Sequence, residues 1–346
     1  MIPRTFTYED AMKAVGYKKS LPIEDPESLL DIELPDPTPG GFDVLVRVEA
    51  ISVNPVDTKI RQFVEPDGAR VLGWDAVGTI VGMGEEVVGF EPGQRVWYAG
   101  ALERPGSNAE LQCVDARLVS LAPESLSVVE AAAMPLTAIT AWELLFEKLK
   151  ITPGKAPSDQ VLLVSGAAGG VGSILIQLAA RLTSARVVAT AGRPESREWV
   201  EELGAHHVID YREPLAPQLE ALGLREVTHV ASLTHTEHYL EQFIGLLAPF
   251  GHLALIDDPD VLDVRPMKRK SLSLHWEFMY TRSMYRTRDI AAQGELLAEV
   301  AALLDAGVLR TTFREHFGVI DAANLRRAHG VLESGGSRGK IVLEGF

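Results

Sequence analysis

The chain has 346 residues, 46% of them apolar, more than one compact core usually holds, so two domains are expected. Its 33 basic and 48 acidic side chains give a formal net charge of −15, which sets the surface against nucleic acid and anionic membranes. Cys113 is the single cysteine, so neither an intrachain disulfide nor a multi-cysteine zinc site can form. No run of about 18 apolar residues could span a bilayer and no secretory-type segment opens the chain, so a soluble, cytoplasmic protein is expected.

The first part reads as strands. VLVRVEAISV, Val44 to Val53, starts with apolar and polar residues in alternation, and GTIVGMG, QRVWYAG and ELQCVDARLVSLA are short β-branched runs divided by Gly, Pro and Asp turns, the spacing of a small barrel or sandwich. At Ser127 the pattern turns helical, with Ser127 as N-cap, Glu130 as its capping-box partner and Pro135 expected to kink or split the helix. Strands then alternate with helices through VLLVSGA, GGVGSILIQLAARL, ARVVATA, ESREWVEELGA, HHVIDY, THVASLT, HYLEQFIGLLAPFG and HLALID. That alternation predicts βαβ units and a mostly parallel, doubly wound sheet. Beyond Asp258 it stops: LSLHWEFMY reads as a strand whose aromatic residues pack in a core or on a second subunit, then come a helix closed by Gly307, a strand, a helix and a final strand. A β domain over 1–128, an inserted α/β domain over 129–268 and a return to the first domain over 269–346, with dimer contacts there, explain this order.

SGAAGGVGS, Ser165 to Ser173, follows an apolar strand and opens an amphipathic helix. Gly166, Ala167, Gly169, Gly170 and Val171 are therefore candidates to bring backbone N–H groups against a pyrophosphate at the helix start. Against G-x-G-x-x-G the frame Ala167, Gly169, Gly172 has alanine first, a departure that the strand and helix context offsets; a glycine turn kept only for packing is the other reading. The next strand ends in Gly192, Arg193, Pro194, Glu195, Ser196, Arg197, where an NAD site would carry an acid. A guanidinium there suits the 2′-phosphate of NADPH, although Glu195 leaves room for a solvated face. Tyr211 in VIDYRE is a candidate to stack near the adenine or touch that phosphate. His235 and His238, three apart, lack a third ligand nearby and read as capping or solvated.

Taken together, ISVNPVDTKIR, LGWDAVGTIVGMG, PGQRVWYAG, AAAMPLTAITAWELLF, LLVSGAAGGVGSILIQLA, LGAHHVIDYR and GKIVLEGF resemble the medium-chain dehydrogenase/reductases, in their quinone oxidoreductase or zinc-type alcohol dehydrogenase-like branch. The resemblance implies a GroES-like catalytic domain built from both chain ends, an inserted Rossmann domain, an active site in the cleft and a homodimer. It also marks where zinc-dependent members carry their ligands: Asn54 stands in place of the first cysteine, Trp74 in place of the histidine and Asp75 in place of the neighbouring acid. An amide, an indole and one acid do not make a zinc site, so no zinc is expected, and Asp75 reads as a structural hydrogen-bond or ion-pair partner.

By the same resemblance Asn54 and Asp57 line the early active-site loop. Thr137, Ser232 and Leu233 approach the nicotinamide, Leu255, Ile256 and Asp257 end the last Rossmann strand where the cofactor crosses, and Lys340 reaches a cofactor hydroxyl or phosphate. Asn54 and Tyr98 are the catalytic candidates, orienting a substrate carbonyl by hydrogen bonds, with a core aromatic as the other reading of Tyr98. The expectation is a zinc-independent, NADPH-dependent reductase of quinones or α,β-unsaturated carbonyls, the alternatives being an alcohol dehydrogenase and a nicotinamide-nucleotide-binding protein without turnover.

Overall fold

The register between chain segments far apart in sequence organises the first part of the molecule. A computed structural model describes residues 11–335 and 337–346. The chain divides into two compact units, one running up to Leu136 and resuming at Tyr280, the other Thr137–Met279. Both boundaries fall later than the composition shift suggests.

In the first unit Asp43–Ser52 is the central strand, buried at Val44, Val46, Val48 and Ala50 as its alternation requires. Asp75–Met83 and Lys340–Glu344 flank it, both antiparallel. Ser52 stands opposite Asp75 and also opposite Val342, so two residues further on Lys340 comes level with Asn54. The sheet runs Phe313–His316, Lys340–Glu344, Asp43–Ser52, Asp75–Met83, Arg95–Tyr98, Val119–Leu121, and Leu111–Asp115 also pairs with the central strand. Leu30–Pro35, Ala11–Tyr17 and Arg70–Val71 form a smaller sheet.

The second unit is a parallel sheet in the order His207–Ile209, Arg186–Thr190, Val161–Ser165, Val227–Ser232, Leu247–Leu255, Ser273–Trp276. Helices Gly170–Leu182, Pro194–Leu203, Leu215–Ala221 and Thr236–Leu246 make the crossovers. This is the doubly wound order that places loops after the first and fourth strands on either side of a switch point. Two sequence expectations are corrected here. Ser273–Trp276 pairs in parallel with Leu247–Leu255 instead of belonging to the C-terminal return, because Leu272 and Leu274 pack on the core beneath that sheet. Residues Leu247 to Gly251, read as the end of a helix, already belong to the strand.

Ser127 and Glu130 form the expected capping box, and Pro135 splits the helical run into Val128–Ala132 and Pro135–Trp142. Among the described residues no helix is long and apolar enough to cross a membrane.

Helices Pro55–Phe63 and Ala322–Glu333 bury Arg61, whose guanidinium donates to Glu333 and to the Leu21 carbonyl. His329 is wholly buried, with no partner on either ring nitrogen among the described residues, and burial, helped by the Arg61 charge, pushes its pKa from 6.5 down to about 3. The folded state therefore resists a proton that the unfolded chain accepts. Stability is full above pH 6.5 and falls as pH drops from 6.5 towards 3, by at most about 1.4 kcal/mol per pH unit from this group. Urea unfolding of His329→Leu between pH 7 and 5 is expected to show a shallower loss than wild type.

Candidate functional site

At the carboxyl end of strand Val161–Ser165 the backbone makes a tight glycine turn into a helix. Gly166 carries φ +71°, and its carbonyl accepts from Gly169 N at 3.1 Å, closing the turn into helix Gly170–Leu182. The left-handed residue is thus Gly166, one place before the frame's alanine, which explains why buried Ala167 is tolerated. At Gly172 a Cβ would sit 2.4 Å from the Ala167 carbonyl oxygen, so helix and turn touch there through glycine alone. The first N–H groups of the helix have no acceptor within it and are available to a phosphate.

The other predicted nucleotide residues divide into two sets. Leu233 lies against the turn, its Cβ 3.3 Å from where a Gly166 side chain would begin. Arg193 is exposed at the N-cap of helix Pro194–Leu203, and Tyr211 is 40% exposed with its ring over Gly192. Thr137 is buried in the first turn of Pro135–Trp142, while Leu255 is buried and Ile256 half-buried at their strand end. Ser232 and Asp257 do different work from that expected. Ser232 Oγ shares a hydrogen bond with Thr236 Oγ1 at 2.7 Å, and the Asp257 carboxylate accepts from Thr236 N at 2.8 Å and from the Thr236 hydroxyl, fixing the start of helix Thr236–Leu246. His235 Nδ1 is hydrogen-bonded with Thr234 Oγ1, and the His238 ring packs edge-on to Tyr239.

In the first unit the strand register assembles a buried polar cluster around Asp75, which is 0% exposed. Its Oδ2 accepts from Ser52 Oγ at 2.6 Å, Asn54 Nδ2 at 2.8 Å and Lys340 Nζ at 3.1 Å; its Oδ1 accepts from Leu136 N at 2.6 Å. Lys340 Nζ also donates to the carbonyl of Val53 and to Asn54 Oδ1. Three acceptors match the three N–H bonds of an ammonium, so Lys340 belongs to this cluster and not to a cofactor phosphate. Burial pulls its pKa below the usual lysine value, against the opposing pull of Asp75. Trp74 donates its indole N–H to the Ala101 carbonyl at 3.1 Å and meets the Tyr280 ring edge-on, with centroids 6.3 Å apart.

Asp57 joins the cluster from helix Pro55–Phe63, its Oδ2 accepting from Asn54 N at 2.6 Å while Oδ1 is buried with no hydrogen-bond partner among the described residues. Burial is the main force raising its pKa to about 7, only partly opposed by the Asn54 N–H and the Lys340 charge. These groups do not fit zinc: Asn54 presents an amide already bonded on both sides, Trp74 an indole, and Asp75 a carboxylate with four donors on it.

Both catalytic candidates are corrected. Asn54 is 1% exposed, with its amide nitrogen donating to Asp75 at 2.8 Å and to the Ser52 carbonyl at 3.4 Å and its oxygen held by Lys340, so it bridges the cluster with both N–H bonds engaged. Tyr98 is wholly buried; its hydroxyl donates to Gln112 Oε1 at 2.8 Å and burial pushes the phenol far above its ordinary pKa. Its partner lies on Leu111–Asp115, a pairing that alternation within Arg95–Tyr98 could not announce. Arg212, which lies with Tyr211 over Gly192, was missed because only the strand order brings it there.

Two family models match: the alcohol dehydrogenase GroES-like domain over residues 40–124 and the zinc-binding dehydrogenase over 203–343. A zinc-type alcohol dehydrogenase-like protein of Staphylococcus aureus is 38% identical over 335 residues, covering 96% of this chain and 99% of its own. A crystal structure from Rhizobium etli, named as a candidate zinc-dependent alcohol dehydrogenase, is 51% identical with TM-score 0.93, covering 97% of this chain and 98% of that one. Escherichia coli quinone oxidoreductase, solved in complex with NADPH, is 25% identical with TM-score 0.80 over 96% of this chain and 99% of its own.

Lys340→Met leaves the buried Asp75 charge without its cation and is expected to cost about 3–5 kcal/mol in urea unfolding, with Asp75→Asn added to it restoring at least half. Tyr98→Phe strands the Gln112 oxygen and is expected to cost about 1–3 kcal/mol of stability while leaving turnover unchanged; a collapse of turnover at full stability would return Tyr98 to the catalytic set.

Proposed function

The chain belongs to the medium-chain dehydrogenase/reductase superfamily, and from that membership we propose that it is a zinc-independent, NADPH-dependent reductase of quinones or α,β-unsaturated carbonyls. The observation that carries the reading is the occupation of Asp75. Four donors, one of them the Lys340 ammonium, engage the carboxylate next to Trp74, the residue that by sequence resemblance takes the place of a zinc-ligating histidine in zinc-dependent relatives. Oxidation of an unactivated alcohol needs a group to polarise oxygen and take its proton, the role a catalytic metal fills. A conjugated acceptor needs less, because its own π system spreads the charge that arrives with hydride.

NADPH supplies that hydride when bound. In this proposal Gly166 to Val171 and the start of helix Gly170–Leu182 hold the pyrophosphate, Arg193 and Tyr211 take the 2′-phosphate, and Thr137 and Leu233 orient the nicotinamide. The chain contributes position and a shaped apolar surround, and solvent protonates the delocalised product. By analogy with the family, the working form is a cytoplasmic homodimer. The quinone oxidoreductase complexed with NADPH supports the cofactor, and the exposed Arg193 at the second strand's end supports the phosphorylated form.

NADPH oxidation by purified protein is expected with at least one quinone or enone in a panel of both, insensitive to chelators and without stoichiometric zinc. Stoichiometric zinc with alcohol turnover would replace this reading by the alcohol dehydrogenase one, and nucleotide binding without turnover on any acceptor would replace it by a binding protein. Arg193→Ala is expected to lower the NADPH to NADH preference about tenfold, read from kcat/KM with each nucleotide.

A further inference from the structure

We propose that Arg212 is a specificity-determining residue for the 2′-phosphate of NADPH, forming with Arg193 a two-guanidinium site; the proposal rests on the NADPH reading above. Strands Arg186–Thr190 and His207–Ile209 run parallel with Thr190 level with Ile209, so the segments that follow leave the sheet side by side. Ala191 N donates to the Ile209 carbonyl at 2.9 Å and ties the two exits together. A side chain on Gly192 would begin 3.0 Å from Arg212 Nε and 3.0 Å from Tyr211 Cζ. The Arg212 guanidinium and the Tyr211 ring thus lie close against Gly192.

Asp210 fixes that guanidinium. Its Oδ1 accepts from Arg212 N at 2.9 Å and from Nε at 3.0 Å, and its Oδ2 accepts from Nη2 at 2.6 Å. Nη1 has no protein partner among the described residues, on a planar group whose orientation is already set, so a phosphate oxygen would order little that is not ordered before binding. The neighbouring arginines differ. Arg197 gives Nη1 to the Ala191 carbonyl and Nη2 to the Val208 carbonyl, which makes it a brace between the two strands. Arg193, directly after Gly192, is exposed. Arg193 and Arg212 therefore bracket one glycine, and a group with two negative charges and three acceptor oxygens matches two such forks better than the bare hydroxyl of NADH does.

The test needs no turnover. Dissociation constants of wild type, Arg212→Ala and Arg212→Lys would be measured calorimetrically for NADPH, NADH, adenosine 2′,5′-bisphosphate and 5′-AMP. Arg212→Ala is expected to weaken NADPH and the bisphosphate about tenfold while NADH and 5′-AMP change less than about twofold, with Arg212→Lys between because it keeps charge without the fork. An unchanged NADPH to NADH ratio in Arg212→Ala, or an equal loss for all four nucleotides, would overturn the assignment of Arg212 while leaving the NADPH reading in place. A wild type that binds NADPH and NADH alike would overturn that reading and this one together.

Discussion

A carboxylate buried in a β-sheet must be neutralised where it stands, and at Asp75 that demand organises the first unit. Its partners come from the central strand at Ser52, from the loop after it at Asn54, from a helix start at Leu136 and from Lys340, 265 residues further along. Removing a charge from water costs several kcal/mol, and the attraction of one ammonium offsets that cost only when the remaining acceptor positions are also filled. The last strand is thereby bound to the first part of the chain by charge as well as by backbone pairing.

The same cluster contains a second carboxylate and only one ammonium. Asp57, buried beside Asp75 and Lys340, is the one whose pKa rises to about 7, with burial the largest cause. Near neutrality it is partly protonated, which lessens the burden of two anions on one cation. Its folded pKa lies above the ordinary carboxyl value of 3.8, so its contribution to stability is complete below that value and is lost as pH rises through 7. His329, with a depressed pKa, acts in the opposite direction between 6.5 and 3. The two groups sit on helices that pack together, Pro55–Phe63 and Ala322–Glu333, and confine the stable range from both sides.

What the sequence makes legible follows the range of the interaction involved. Alternation of β-branched runs with amphipathic helices is local, and it predicts the parallel sheet from Val161 to Leu255; the Ser127 and Glu130 cap and the break at Pro135 are local too. The tight turn from Gly166 to Gly172 is legible because its requirement falls on glycine itself. The errors lie elsewhere. Ser273–Trp276 reads as a strand in the sequence, but which sheet it joins depends on where Leu272 and Leu274 pack. Tyr98 and Lys340 look like free functional groups until Gln112, Asn54 and Asp75 are brought to them by pairings between distant strands.

The two units therefore present function in different chemical terms. In Thr137–Met279 the turn into helix Gly170–Leu182 is shaped by backbone, and substitution there is limited by glycine geometry at Gly166 and Gly172. In the other unit the polar centre is built from side chains around Asp75, a wholly buried acid that requires a cation. Lys340 is that cation. The carboxylate retained at Asp75 is accordingly a structural anchor, and the glycine turn around it keeps its shape because Gly73 leaves room for Asn108 and Ser107, whose hydroxyl donates to the Asp75 carbonyl at 3.2 Å.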